Sequence, residues 1–166
     1  MTTGAHPMPP LRESARNAPV YVHPGRALVS KDAPAFTTVV GSGLALCLWD
    51  PVHGVGGMAH FLLPEAGGAP PAQRYGDVAM KFLVDELAKA GANPLSLKAR
   101  VYGGCAPPIG SQSGHIGDRN VAAALAFLRK QSIPIVERDI GGTGARKIVF
   151  DPRDGAAEVV KILPPA

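Results

Sequence analysis

The chain has 166 residues, 46% of them hydrophobic and only 5% aromatic, and its formal charge is +4. That length suits one domain able to bury a sizeable core without staples, and two cysteines are too few for a disulfide scaffold. Lys and Arg are scattered, with no basic stripe interleaved with aromatics, which argues against nucleic acid as a partner. No run of roughly 18 apolar residues exists to insert in a membrane.

Residues 1–19 are polar, Pro-containing and aperiodic, and read as a flexible N-terminal tail ahead of a domain over residues 20–163. The first residues carry no apolar signal-peptide core, so a cytoplasmic location is expected. Val20-Tyr21-Val22, a turn at Pro24-Gly25 and Ala27-Leu28-Val29 predict a strand, a turn and a second strand. The strongest strand signal is TTVVGSGLALCLW, from Thr37 to Trp49, apolar enough after Ser42 to be covered on both faces. Gly41 and Gly43 interrupt it, implying a bulge, a bend or a close backbone approach. Asp50-Pro51 and His53-Gly54 make a turn, and Met58 to Leu63 forms the next strand, which Pro64 ends.

The period then changes. Ala79, Phe82, Leu83, Leu87 and Ala90 recur at three- and four-residue spacing, with Gly91 as a C-terminal stop, which predicts an amphipathic helix. Leu97 to Tyr102 returns to a strand. Val121, Ala124, Leu125 and Leu128 mark a second helix, ended by Arg129 and Lys130 where positive charge suits the dipole. Late strands are expected near residues 133–136, 147–150 and 159–163. Together these elements predict a single-domain layered α/β sandwich with a mixed sheet and about two main helices.

Two glycine-rich stretches invite a nucleotide reading and do not satisfy it. In Gly141-Gly142-Thr143-Gly144-Ala145-Arg146-Lys147 the residue after Lys147 is Ile148, not Ser or Thr, and a strand follows where a phosphate loop needs a helix N-terminus. A positive-φ turn that carries Arg146 outward or to a carboxylate explains it better. Gly54 to Gly57 lacks the dinucleotide spacing. No cofactor is expected, and without Cys-x-x-Cys pairs or clustered His/Cys spacing no metal is expected either.

Amide hydrolysis needs a nucleophile, a base and usually a group that orients the base. Of five histidines, His60 is the best base, because it lies in an apolar strand after a glycine turn, whereas His53 and His115 lie in glycine-rich loops. Thr37 and Thr38 open the glycine-interrupted strand, where a hydroxyl can orient an imidazole nitrogen. Cys47 and Cys105 are the available thiols, each also readable as a small packed side chain.

The run TTVVGSGLALCLWDPVHGVGGMAHFLLP over residues 37–64 resembles the signature of the CheD family of chemoreceptor glutamine deamidases. The likeness continues through Tyr75-Gly76, GGC at 103–105, IGDRN at 116–120 and DIGGTGARKIVFDPRDG at 139–155. The resemblance implies a cytoplasmic enzyme that converts glutamine side chains of methyl-accepting chemotaxis receptors to glutamate with release of ammonia. It also implies a layered α/β sandwich and, in some members, binding to a CheC-type phosphatase. Its Cys-His-Thr site falls on Gly43, His60 and Thr37, so the nucleophile position holds a glycine.

Gly43 has no side chain with which to attack an amide. Cys47 lies about 13 Å further along an ordinary strand and corresponds to a second, non-catalytic cysteine of the family. Cys105, in a Gly-Gly turn, is more open and is a weak alternative nucleophile. The expectation is therefore a chemotaxis protein of the deamidase type with impaired catalysis. A non-catalytic receptor- or phosphatase-binding regulator is one alternative, and an amidohydrolase using Cys105 is the other.

Overall fold

The computed structural model describes residues 9–106 and 114–162. Among the described residues, nine strands form two sheets: a four-stranded sheet of order β1 (Val20–Tyr21), β3 (Phe36–Val40), β8 (Ala145–Phe150), β9 (Ala157–Ile162), and a five-stranded sheet of order β2 (Arg26–Ser30), β5 (Val55–Phe61), β4 (Leu44–Asp50), β6 (Lys98–Gly103), β7 (Ile135–Ile140). Helices α2 (Gly76–Lys89) and α3 (Gly114–Lys130) cover one face of the five-stranded sheet, and the four-stranded sheet covers the other. The layers run helix, sheet, sheet, which agrees with the expected α/β sandwich. Among the described residues no helix is long and apolar enough to cross a membrane.

Strand β4 shows why the central sheet forms where it does. Side chains alternate across a strand. Leu44, Leu46 and Leu48 join Leu83, Leu87 and Leu128 in the helix-side core. Ala45, Cys47 and Trp49 join Phe36, Val40, Ile148 and Phe150 between the sheets. Every residue of β4 is buried, as expected for a strand packed on both faces.

Three expectations are refined. Of the bulge, bend or close approach expected in the run from Thr37 to Trp49, the structure shows a bend: Gly41-Ser42-Gly43 is a corner at which the chain leaves the outer sheet as β3 and enters the central sheet as β4. Likewise, β1 and β2 on either side of Gly25 enter different sheets, β1 parallel to β3 and β2 antiparallel to β5. The packed chain also begins before residue 20. Leu11 and, from a short helix α1 (Glu13–Arg16), Ala15 are buried against Ala35, Ala156 and Val149, and Arg12 and Arg16 reach Asp154 and Glu158.

Helix α2 stops as the sequence suggests, with Gly91 at φ +103°, a conformation favouring glycine. The Gly141-Gly142 turn joins β7 to β8 with both residues at positive φ. It turns Arg146 inward rather than outward: the guanidinium is buried, 2.7 Å from the Gly141 carbonyl and 3.2 Å from the Asp139 carboxylate.

Candidate active site

Strand alternation decides which threonine meets the histidine. In β3, Phe36, Thr38 and Val40 are buried between the sheets, while Thr37 and Val39 face outward. In β5, Met58 and His60 point to the same inter-sheet layer from the other side, His60 lying beside Ala45 and Arg26 in the register. Thr38 Oγ1 is 2.8 Å from His60 Nδ1. Thr37, on which the family resemblance places the site threonine, instead donates its hydroxyl to the Ile148 carbonyl at 2.7 Å. Thr38, and not Thr37, is therefore the threonine hydrogen-bonded to His60 Nδ1.

The hydrogen bonds also fix the tautomer. Thr38 Oγ1 donates to the Val22 carbonyl at 2.8 Å. A hydroxyl has one proton, so the contact with His60 must run the other way, Nδ1–H donating to Oγ1. That leaves Nε2 with a free lone pair. The imidazole is only 2% exposed, and burial lowers its pKa from 6.5 to about 4. It is neutral at neutral pH and presents a base, not an acid, at Nε2.

That lone pair faces the corner. A Cβ placed on Gly43 would lie 3.4 Å from His60 Nε2 and 3.5 Å from Leu62 Cδ2. The geometry therefore aims the missing side chain of residue 43 at the base. The same Cβ would lie 2.7 Å from the Phe61 carbonyl oxygen, too close for an unadjusted backbone. The corner has closed around glycine.

The other candidate residues are placed as follows. Cys47 is buried in the inter-sheet core, and burial pushes its thiol far up, with the Arg100 guanidinium opposing; it is inert as a nucleophile. Cys105 is half-buried beside the corner, its N–H donating to the Gly41 carbonyl at 3.1 Å and its Sγ 3.7 Å from the Cβ position of Gly41. His53 caps the Asp50 turn, with Nδ1 2.6 Å from the Asp50 carboxylate. His23 packs edge-on against Tyr21 at 4.7 Å, His115 is exposed on the first turn of α3, and His6 falls outside the described residues. Among the described residues no three His, Cys, Asp or Glu side chains gather to hold a metal ion. A groove of about 720 Å³ between α2 and α3, floored by Met80, Val84, Ala123 and Phe127, includes none of Thr38, Gly43 and His60.

One residue at the site escaped sequence reasoning. Asn120 is fully buried, and its Nδ2 donates to the carbonyls of Ser42 and Leu62, both at 3.0 Å. Its only sequence signal is the IGDRN motif.

Residues 62–161 match the family model described as CheD chemotactic sensory transduction. A probable chemoreceptor glutamine deamidase CheD 1 of Anaeromyxobacter dehalogenans is 46% identical over 144 residues, 86% of this chain and 84% of that protein. Probable chemoreceptor glutamine deamidases CheD of Bordetella petrii and Bordetella parapertussis are 44% and 43% identical, over 77% and 92% of this chain. The chain spans 59% of the first and 74% of the second. Among solved structures, the hypothetical protein YfiH of Bacillus licheniformis gives a TM-score of 0.47 at 14% identity, covering 68% of this chain and 49% of that one. By its family-model match and its identity to these relatives, this chain belongs to the CheD family.

Proposed function

We propose that this protein is a cytoplasmic chemotaxis component that engages the glutamine-bearing segments of chemoreceptors but does not deamidate them efficiently. One observation carries the reading: His60 Nε2 is aimed at position 43, 3.4 Å from where a Cβ would stand, and residue 43 is glycine. A thiol at that place would give its proton to Nε2 and attack the glutamine carbonyl as thiolate. The amide nitrogen would then leave as ammonia and water would release the acyl group as glutamate. With no sulfur, the base has nothing to activate except water, and the covalent route is lost.

The test is incubation of the purified protein with a receptor cytoplasmic fragment, followed by mass spectrometry of the receptor glutamines. The expected result is binding without conversion of glutamine to glutamate. Efficient turnover by the wild-type chain overturns the reading.

The position of Cys105 beside Gly41 favours a second reading, in which its thiol replaces the missing one. Turnover that disappears in Cys105→Ala would select it. A CheC-type phosphatase is a further partner under the regulatory reading, tested by direct binding.

A further inference from the structure

We propose that Asn120 is a positioning residue that clamps the Gly41-Ser42-Gly43 corner to the end of the His60 strand and so holds position 43 against the imidazole. In calling the corner part of an active site, the inference rests on the functional reading above.

Residue 43 and His60 belong to segments that leave the regular ladder at this point: Ser42 is in the corner between β3 and β4, and Leu62 lies just beyond β5. Their carbonyls need donors from elsewhere. Asn120 supplies both from one amide group, at 3.0 Å each. The two acceptors are adjacent in sequence to Gly43 and Phe61, the residues whose separation sets the corner's approach to His60.

The helix is seated so that Asn120 can reach. Gly117 packs directly on Gly104-Cys105: a Cβ there would lie 2.5 Å from the Cys105 carbonyl oxygen and 2.6 Å from that of Gly104. Only glycine permits that approach without displacement. Residues three apart share a helix face, so seating Gly117 on this segment turns Asn120 toward the corner one turn later. The same segment holds the flanking corner carbonyls, Gly104 N–H donating to Gly43 at 2.7 Å and Cys105 N–H to Gly41 at 3.1 Å. All three corner carbonyls are therefore tied, and Asn120 provides the middle tie.

The cost of the arrangement points the same way. Asn120 Oδ1 is buried and has no hydrogen-bond partner among the described residues. The amide cannot be flipped to relieve it, because an oxygen would then face two carbonyl oxygens. An unmet buried acceptor destabilises the fold, and burial in a purely structural packing position would favour an apolar side chain. The residue makes sense for the two donors it aims at Ser42 and Leu62.

The test reads His60 itself by imidazole NMR in the full-length protein, with no receptor required. In the wild type, His60 should show one tautomer with a slowly exchanging Nδ1–H. In Asn120→Ala the corner should loosen, with exchange of that proton faster by about tenfold or more and both tautomers present. Leu128→Ala, buried in the helix-side core of the same helix, should lower the Tm yet leave the His60 signature unchanged. Folded Asn120→Ala with a wild-type His60 signature overturns the proposal, as does an equal change in Leu128→Ala. Should Asn120→Ala not fold, Asn120→Asp, which keeps the size and removes both Nδ2 donors, decides by the same reading: a changed His60 signature supports the clamp, and a wild-type one overturns it. Deamidation by the wild-type chain would sink the proposed function without touching these outcomes.

Discussion

His60 and His53 each place Nδ1 on a nearby oxygen, yet the two pairs work in opposite directions. His60 meets a hydroxyl at 2.8 Å in the closed layer between two sheets. His53 meets a carboxylate at 2.6 Å on the rim, with its own side chain 46% exposed. At the first, a neutral partner orients the ring, and burial keeps it uncharged. At the second, the buried group is the acid. Asp50 accepts N–H bonds from Val52, His53 and Asn93 besides the imidazole. Burial would raise its pKa, but those donors together hold it below the ordinary value. Each pair has one anchored member, and it is the histidine at the corner and the aspartate at the turn.

The largest effect should come from the second anchor. Asp50→Ala strands three backbone N–H groups and is expected to cost about 3 kcal/mol or more in urea unfolding. A loss as small as that of His53→Ala would break the contrast. Acid should separate the pairs next. The unfolded chain binds a proton at His60 near pH 6.5 and the folded chain only near 4, so stability falls as pH drops through that window, by about 3 kcal/mol in all. Asp50 acts lower: its folded pKa lies below the ordinary carboxylate value of 3.8, so its contribution is intact above that value and is lost only below it. Stability measured from pH 7 to pH 4 should flatten in His60→Phe and keep its slope in His53→Ala.

Position 43 comes third. Gly43→Ala and Gly43→Cys both press a Cβ on the Phe61 carbonyl and should destabilise by about 1–3 kcal/mol. Gly43→Cys should nevertheless gain receptor deamidation over the wild type, since its sulfur adjoins Nε2. A folded Gly43→Cys with no gain would mean the corner has closed too tightly for substrate. Thr38→Val should lose about 1–2 kcal/mol and free the His60 ring, whereas Thr37→Val, cutting only the bond to Ile148, should leave the His60 signature intact. Equal effects on His60 would undo the assignment of Thr38. The smallest change, below about 1 kcal/mol, is expected for His53→Ala, which removes one half-exposed partner from an aspartate that keeps its three backbone donors.

Much of this was readable in the residues. The helix over 76–89 and its glycine stop follow from apolar spacing and the need for positive φ at Gly91. That His60 is buried follows from a polar residue embedded in an apolar strand. Three things were not readable. The glycines at 41–43 allow a bulge, a bend or a close backbone approach, and only the pairing partners reveal that Val40 and Leu44 belong to different sheets. Thr37 and Thr38 differ by one step of strand parity, which depends on where the second sheet packs. Asn120 sits in a polar, charged motif that hydropathy assigns to the surface, and its burial exists only because Gly117 lets the helix come so close.

The close seat of Trp49 carries a consequence of another kind. This is the single tryptophan of the chain. It projects from the central sheet onto Phe150 of the outer sheet, with ring centroids 5.8 Å apart, and lies under the Arg100 guanidinium at 5.3 Å. Gly155 leaves it room, since a Cβ there would fall 2.0 Å from the indole. Its fluorescence therefore reports on the seam between the sheets, the same layer that holds Thr38 against His60. Refolding followed by tryptophan emission would time the closure of the sandwich, with no label added.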